Sequence, residues 1–174
     1  MTTIEEKVSM ELHHDVEQCL FYEARLLDDF NFDGWRELLA ADLHYWIPAR
    51  RSRYVREKRA EWAIDNDHYD DDMSSMDLRL KRLSKPMQSS LDPRSREVRS
   101  ISNIEVSYGG STQELRVDSV ILFMRNRMLD QEEHIAARRQ DVWRIMDNGR
   151  FELVKRKVLI TQNSILMANM NSLL

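Results

Sequence analysis

The hydrophobic positions of this chain change their prevailing period near residue 98. In the first part they recur every three or four residues, and from about residue 98 they recur every two. Val8, Leu12, Val16, Cys19, Leu20, Leu26 and Leu27 share one face of a helix that takes up roughly the first twenty-five residues. Glu23 lands in the middle of that apolar face. Phe32, Trp35, Leu38 and Leu39 form the apolar side of a second helix, which Asn31 or Asp33 can cap. The stretch "LHYWIP" at 43–48 alternates. Leu43, Tyr45 and Ile47 face one way and His44 and Trp46 the other, and Pro48, with no N–H to donate, ends the run. Met73, Met76, Leu80, Leu83 and Met87 make the stripe of a third helix, with Pro86 as its stop.

Beyond "LDPRS" at 91–95 the pattern is that of strands. Val98, Ile104, Val106 and Tyr108 share a face of one long strand, with Ser100 and Ser102 between them. Gly109-Gly110 is a turn, and Leu115, Val117, Ile121 and Phe123 share a face of the next strand. Residues 131–146 read as a third long strand. "DNGR" at 147–150 holds an Asn-Gly hairpin signal, and "FELVKRKVLI" at 151–160 is the last strand. Three helices and one short strand therefore precede a meander of four long antiparallel strands. That order predicts an α+β fold, a single domain over 1–174, with a long curved sheet wrapped on a helix.

Charge and cysteine content narrow the function. Charged residues make up 32% of the chain and the net charge is −4, so no global basic character points to nucleic acid. No stretch approaches the roughly 18 apolar residues of a membrane span, and the charged N-terminal segment is unlike a signal peptide. Cys19 is the only cysteine, which excludes an internal disulfide framework and suits a reducing, cytoplasmic setting.

Two charge runs stand out. Residues 50–59, "RRSRYVREKR", carry six basic residues, Arg50, Arg51 and Arg53 among them, against Glu57. They read as a solvated arm or the rim of a protein-docking surface. Residues 65–72, "DNDHYDDD", carry five aspartates and read as a solvated loop entering the third helix, where negative charge favours the N-terminal dipole. As a calcium loop the run fails, because Asp70 stands at the glycine position and Met76 at the bidentate glutamate position.

Candidate chemistry is sparse. The five histidines offer no HExxH pair, and one cysteine cannot ligate a Rieske cluster, which needs two cysteines and two histidines. No GxSxG is present, and Cys19 in an apolar stripe reads as buried and inert. Glu23 is different. A carboxylate in an apolar face must be paired or carry a raised pKa. Either it is a general base in a cone-shaped pocket, with His134 or His44 as further candidates, or it is a structural ion pair with a sheet arginine such as Arg99, Arg138 or Arg139. The structural pair is the reading adopted, with Glu23 buried.

The order of the motifs resembles one family. "EARLLDDFNFDGWRELLAADLHYWIP" (23–48) is similar to the signature of the small (β) subunit of aromatic-ring-hydroxylating dioxygenases. "DDDMSSMDLRLKRL" (70–83), "PRSREVRSISNIEV" (93–106, with Arg99 and Asn103), "ARRQDVWRI" (137–145) and "FELVKRKVLI" (151–160) resemble further family segments in the same order. The chain departs from the family at "SKPMQSSLD" (84–92) and "ILMANMNSLL" (165–174).

The resemblance implies an NTF2-like or cystatin-like cone. It also implies a large α subunit as partner, carrying a Rieske [2Fe–2S] cluster and a mononuclear Fe(II), commonly as α3β3 with β–β contacts. On that reading the chain is a non-catalytic structural subunit with no catalytic, cofactor-binding or metal residue of its own. Glu23, Trp35, Tyr45, Trp46, Arg50, Arg51, Arg53, Arg99 and Asn103 are its structural or interface candidates. The alternative is a stand-alone lyase or isomerase of the same cone fold, using Glu23, Tyr45 and His134 as acid and base. Tyr45, Ile47, Val106, Ile121 and Phe123 are expected to fill the cone, which weighs against an open pocket.

Overall fold

The computed structural model describes residues 8–49, 67–85, 94–129, 131–162 and 172–174. The basic run with Arg50, Arg51 and Arg53 lies outside them, as do Pro86 and Met87.

Helix α1 (Met10–Asp28) starts where Ser9 accepts the N–H of Leu12, and it buries Val16, Leu20, Glu23, Ala24, Leu26 and Leu27. Helix α2 (Phe32–Arg36) is capped by Asn31 and is only five residues long. It ends before Leu38 and Leu39, which were expected on its apolar side. The chain is already extended at Leu39, so the aromatic strand β1 (Leu39–Pro48) is ten residues rather than six. Its alternation holds: Leu43, Tyr45 and Ile47 are buried, His44 is exposed and Trp46 half-buried.

The aspartate run is a strand rather than a loop. β2 (Asp67–Asp72) pairs antiparallel with β1, and Tyr69 and Asp71 turn inward. Neighbouring β1 supplies the ladder that local propensity does not, and the outward aspartates blunt what is an edge of the sheet. Asp72 then caps α3 (Met73–Leu83) by accepting from the Ser75 N–H, and Met76 and Leu80 are its buried residues.

Four long strands follow: β3 (Arg96–Tyr108), β4 (Glu114–Arg127), β5 (Gln131–Ile145) and β6 (Phe151–Ile160). The curved six-stranded sheet has the order β2-β1-β6-β5-β4-β3, all antiparallel except the parallel β1–β6 pair. α1 lies against it, touching β3. This is the curved sheet wrapped on a helix that the element order predicted, in the cone-like form that the family resemblance implied.

The first half of β3 faces opposite to expectation. Val98, Ser100 and Ser102 are exposed, while Arg99 and Ile101 point inward, opposite Phe123 and Ile121. The pairing register shifts between Ser102 and Glu105, and Asn103 sits at φ 50°. Beyond that bulge Val106 and Tyr108 oppose the buried Val117 and Leu115. One extra residue flips the inward set from odd to even positions, which strict alternation cannot reveal.

Asparagine tolerates the left-handed conformation better than a branched residue does. Asn103→Val is therefore expected to destabilise the protein by about 1–2 kcal/mol, whereas Asn103→Gly should be tolerated. Urea unfolding of both variants checks this, and equal stability of the valine variant would show that the bulge conformation is not strained.

Candidate functional site

The interior of the cone is organised around charge. One row of paired residues crosses the sheet from edge to edge: Asp71, Tyr45, Arg156, Asp141, Val117 and Val106. α1 lays Glu23 over that row. Arg156 reaches both carboxylates. Its Nε and Nη2 donate to Asp141 at 3.0 and 2.7 Å, and its Nη1 and Nη2 donate to Glu23 at 2.6 and 2.9 Å. Nη1 also donates to the Leu174 main-chain oxygen at 3.3 Å. All five guanidinium hydrogens are thus used.

Neighbouring elements complete the cluster. The Trp35 indole N–H donates to Glu23 at 3.0 Å and that of Trp143 donates to Asp141 at 3.3 Å. Arg139 Nη1 donates to Glu23 at 3.3 Å and its Nε to Ser119 Oγ at 3.2 Å. Arg139 Nη2 is buried with no hydrogen-bond partner. Tyr45 meets Trp35 and Tyr69 edge-to-face, at 6.4 and 6.1 Å between ring centroids, contacts that hold the aromatic floor in place. Glu23, Asp141, Arg139 and Arg156 are each about 1% exposed.

Two carboxylates and two guanidiniums leave this interior neutral. Burial by itself would raise the Glu23 pKa, but Arg156 and then Arg139 outweigh it and hold the group at about 2. For Arg139, burial and the like charge of Arg156 both push the pKa down. A carboxylate with so low a pKa is a weak base at neutral pH.

The sequence-derived candidates separate accordingly. Glu23, Trp35, Tyr45 and Arg139 come together here. Arg99 is buried elsewhere in the interior, donating to Asp28 Oδ1 at 2.6 Å and to Glu97 at 3.0 Å. Arg138 points to the exposed outer face, as does His134, whose neighbour is Glu132. His44 Nε2 donates to the Asp70 carboxylate at 2.8 Å on the exposed face, its ring stacked on Trp46. Glu23 therefore has no histidine beside it among the described contacts.

Arg156 and Asp141 were not singled out beforehand. Their signal was nonetheless present, because each occupies an inward position in an alternation that also carries apolar residues: Arg156, Val158, Ile160 and Ala137, Arg139, Asp141, Trp143.

Nothing among these groups suits a metal centre. The chain has one cysteine, and burial together with the nearby Glu23 pushes that thiol up to about 12. The buried carboxylates Glu23 and Asp141 are bonded to Arg156, and the buried Asp71 to Arg79. Among the described residues no three His, Cys, Asp or Glu side chains gather closely enough to hold a metal ion. An open groove beside α1, lined by Asp15, Cys19, Tyr22, Arg150 and Phe151, contains no acid-base pair with histidine. No helix among the described residues is long and apolar enough to cross a membrane.

Residues 22–167 match the family model described as the ring-hydroxylating beta subunit. The chlorobenzene dioxygenase subunit beta of Cupriavidus sp. (strain PS12) is 36% identical over 168 residues, covering 94% of this chain and 89% of that protein. The biphenyl 2,3-dioxygenase subunit beta of Rhodococcus jostii (strain RHA1) is 37% identical over 167 residues, with the same coverage. A solved structure of naphthalene 1,2-dioxygenase with indole bound in the active site superposes with a TM-score of 0.88. It is 22% identical, covering 96% of this chain and 88% of the matched chain.

Glu23→Gln would leave two buried guanidiniums short of a counter-charge. The expected loss is about 3–5 kcal/mol in urea unfolding at neutral pH. Because the folded pKa of Glu23 lies below its ordinary value of 4.5, its contribution is present above pH 4.5 and disappears as pH falls towards about 2. The gap between the two proteins should therefore close across that window, and a constant gap would show that Glu23 is not held ionised.

Proposed function

Because the chain belongs to the ring-hydroxylating beta-subunit family, we propose that it is the non-catalytic, structural β subunit of a terminal oxygenase. The complex would dihydroxylate an aromatic compound with O2 and NAD(P)H-derived electrons, in the cytoplasm. Chemistry would reside on a large α subunit that carries the Rieske [2Fe–2S] cluster and the mononuclear Fe(II). The assembly would be α3β3, with β–β contacts.

One observation carries the scaffold role: Glu23 and Asp141, the carboxylates at the centre of the interior, are both bonded to buried arginines, which leaves Glu23 without the free base role that the lyase or isomerase alternative gives it. The lyase or isomerase alternative needs Glu23 and His134 in one pocket, and the two lie on opposite sides of the sheet. The described residues of this chain do not fit an iron site of either kind, so no reaction step is assigned to them.

A scaffold acts through its surface. On the outer face Val98 lies opposite Met124, and Leu122 lies opposite Ser100 and Ala136, so three half-exposed apolar side chains stand close together. Such a surface suits burial against the α subunit. Trp46, with Lys157 Nζ 4.9 Å from its ring centroid, and the basic run of Arg50, Arg51 and Arg53 are the further contact candidates.

Purification of the chain alone and with its large subunit tests this. Iron and ring-hydroxylating activity are expected only in the two-subunit preparation, and turnover by the chain alone would overturn the reading. Within that complex, Leu122→Glu combined with Met124→Glu should weaken co-purification while leaving the fold of the β subunit intact by circular dichroism.

A further inference from the structure

Residues 172–174 are held the way a bound peptide is held. Ser172, Leu173 and Leu174 are all buried. Ser172 Oγ donates to Glu97 at 3.0 Å and accepts from Arg125 Nη1 at 3.3 Å. The Leu173 main-chain oxygen accepts from Arg99 Nε at 2.9 Å. The Leu174 N–H donates to the Tyr45 hydroxyl at 2.9 Å, and that hydroxyl donates to the Leu174 oxygen at 2.7 Å. Arg156 adds its bond to the same oxygen.

Two features distinguish this from ordinary core packing. The recognition is directed largely at main-chain atoms and comes from four strands: β1, β3, β4 and β6. The recognising arginines are also anchored independently of the segment. Arg99 is tied to Asp28 and Glu97, Arg125 to Glu133 at 2.7 Å, and Arg156 to Asp141 and Glu23. The cradle is therefore already shaped without its occupant, a condition that lowers the cost of binding.

We propose that the inner face of the sheet contains a peptide-binding site for a short Ser-Leu-Leu-type apolar segment, which the chain fills with its own residues 172–174. Arg99, Tyr45 and Arg156 recognise the main chain, Glu97 and Arg125 recognise the serine hydroxyl, and the two leucine side chains take the apolar positions. Removal of the segment exposes the site and lets an equivalent peptide take its place.

Thermal melting of the chain truncated after Asn171 tests the proposal. Titration with acetyl-Ser-Leu-Leu should raise its Tm saturably, by roughly 3–6 °C at tenfold excess over Kd. Acetyl-Ser-Asp-Asp should give no shift, and the intact chain should respond to neither peptide. No response of the truncated chain, or an equal response to both peptides, would overturn the proposal. Should the truncated chain fail to fold, the full-length Leu173→Asp, Leu174→Asp variant, whose charged segment does not enter the site, takes its place in the same titration. A shift with acetyl-Ser-Leu-Leu alone then supports the site, and no shift overturns it.

Discussion

The fold depends on the two-sided clamp of Arg156. Its guanidinium bonds a carboxylate of the adjacent strand, Asp141, and a carboxylate of the covering helix, Glu23. Buried ions are costly to desolvate, and their mutual attraction offsets that cost only where geometry is good and further hydrogen bonds are made. Here five donors meet five acceptor contacts. The clamp joins α1 to the centre of the sheet, and Glu23 extends it to α2 through the Trp35 indole. Tyr45, paired with Arg156 in the neighbouring strand, brings β1 and residues 172–174 into the same network.

That arrangement settles what the interior can do. A carboxylate held near pKa 2 by two guanidiniums does not take protons at neutral pH, and Asp141 accepts from Arg156 and Trp143. Among the described residues, ions, aromatic rings and the chain's own segment fill the middle of the cone.

How much of this was legible in the sequence depended on how local the cause was. The spacing of Val16, Leu20 and Leu27 reported α1, and the same helical wheel put Glu23 among them. The alternation around Leu115 and Phe123 reported β4, and Asn-Gly reported the last hairpin. What escaped reading has non-local causes. "DHYDDD" has no strand propensity, and it is a strand because β1 offers it a ladder. The bulge at Asn103 breaks the period of two inside a strand that otherwise obeys it. Leu38 and Leu39 fit a helical stripe, but Leu39 opposes Leu153 in the sheet and is drawn into β1. The return of residues 172–174 to the interior has no periodic signature at all. The order of motifs, by contrast, carried the family, because it integrates many such non-local requirements at once.

Buried charge also fixes register. A one-residue slip of β6 against β5 would carry Arg156 to the outer face and leave Asp141 behind on the inner one, a penalty far larger than that of misplacing one leucine. The same row passes on through Val117 to Val106, beyond the bulge that reorients the first half of β3. The positions of Val98, Leu122 and Met124 on the outer face are therefore set by ion pairs on the inner one. A polar interior that is poor at catalysis is well suited to holding an outer surface in a single arrangement, which is what a subunit that works by contact requires.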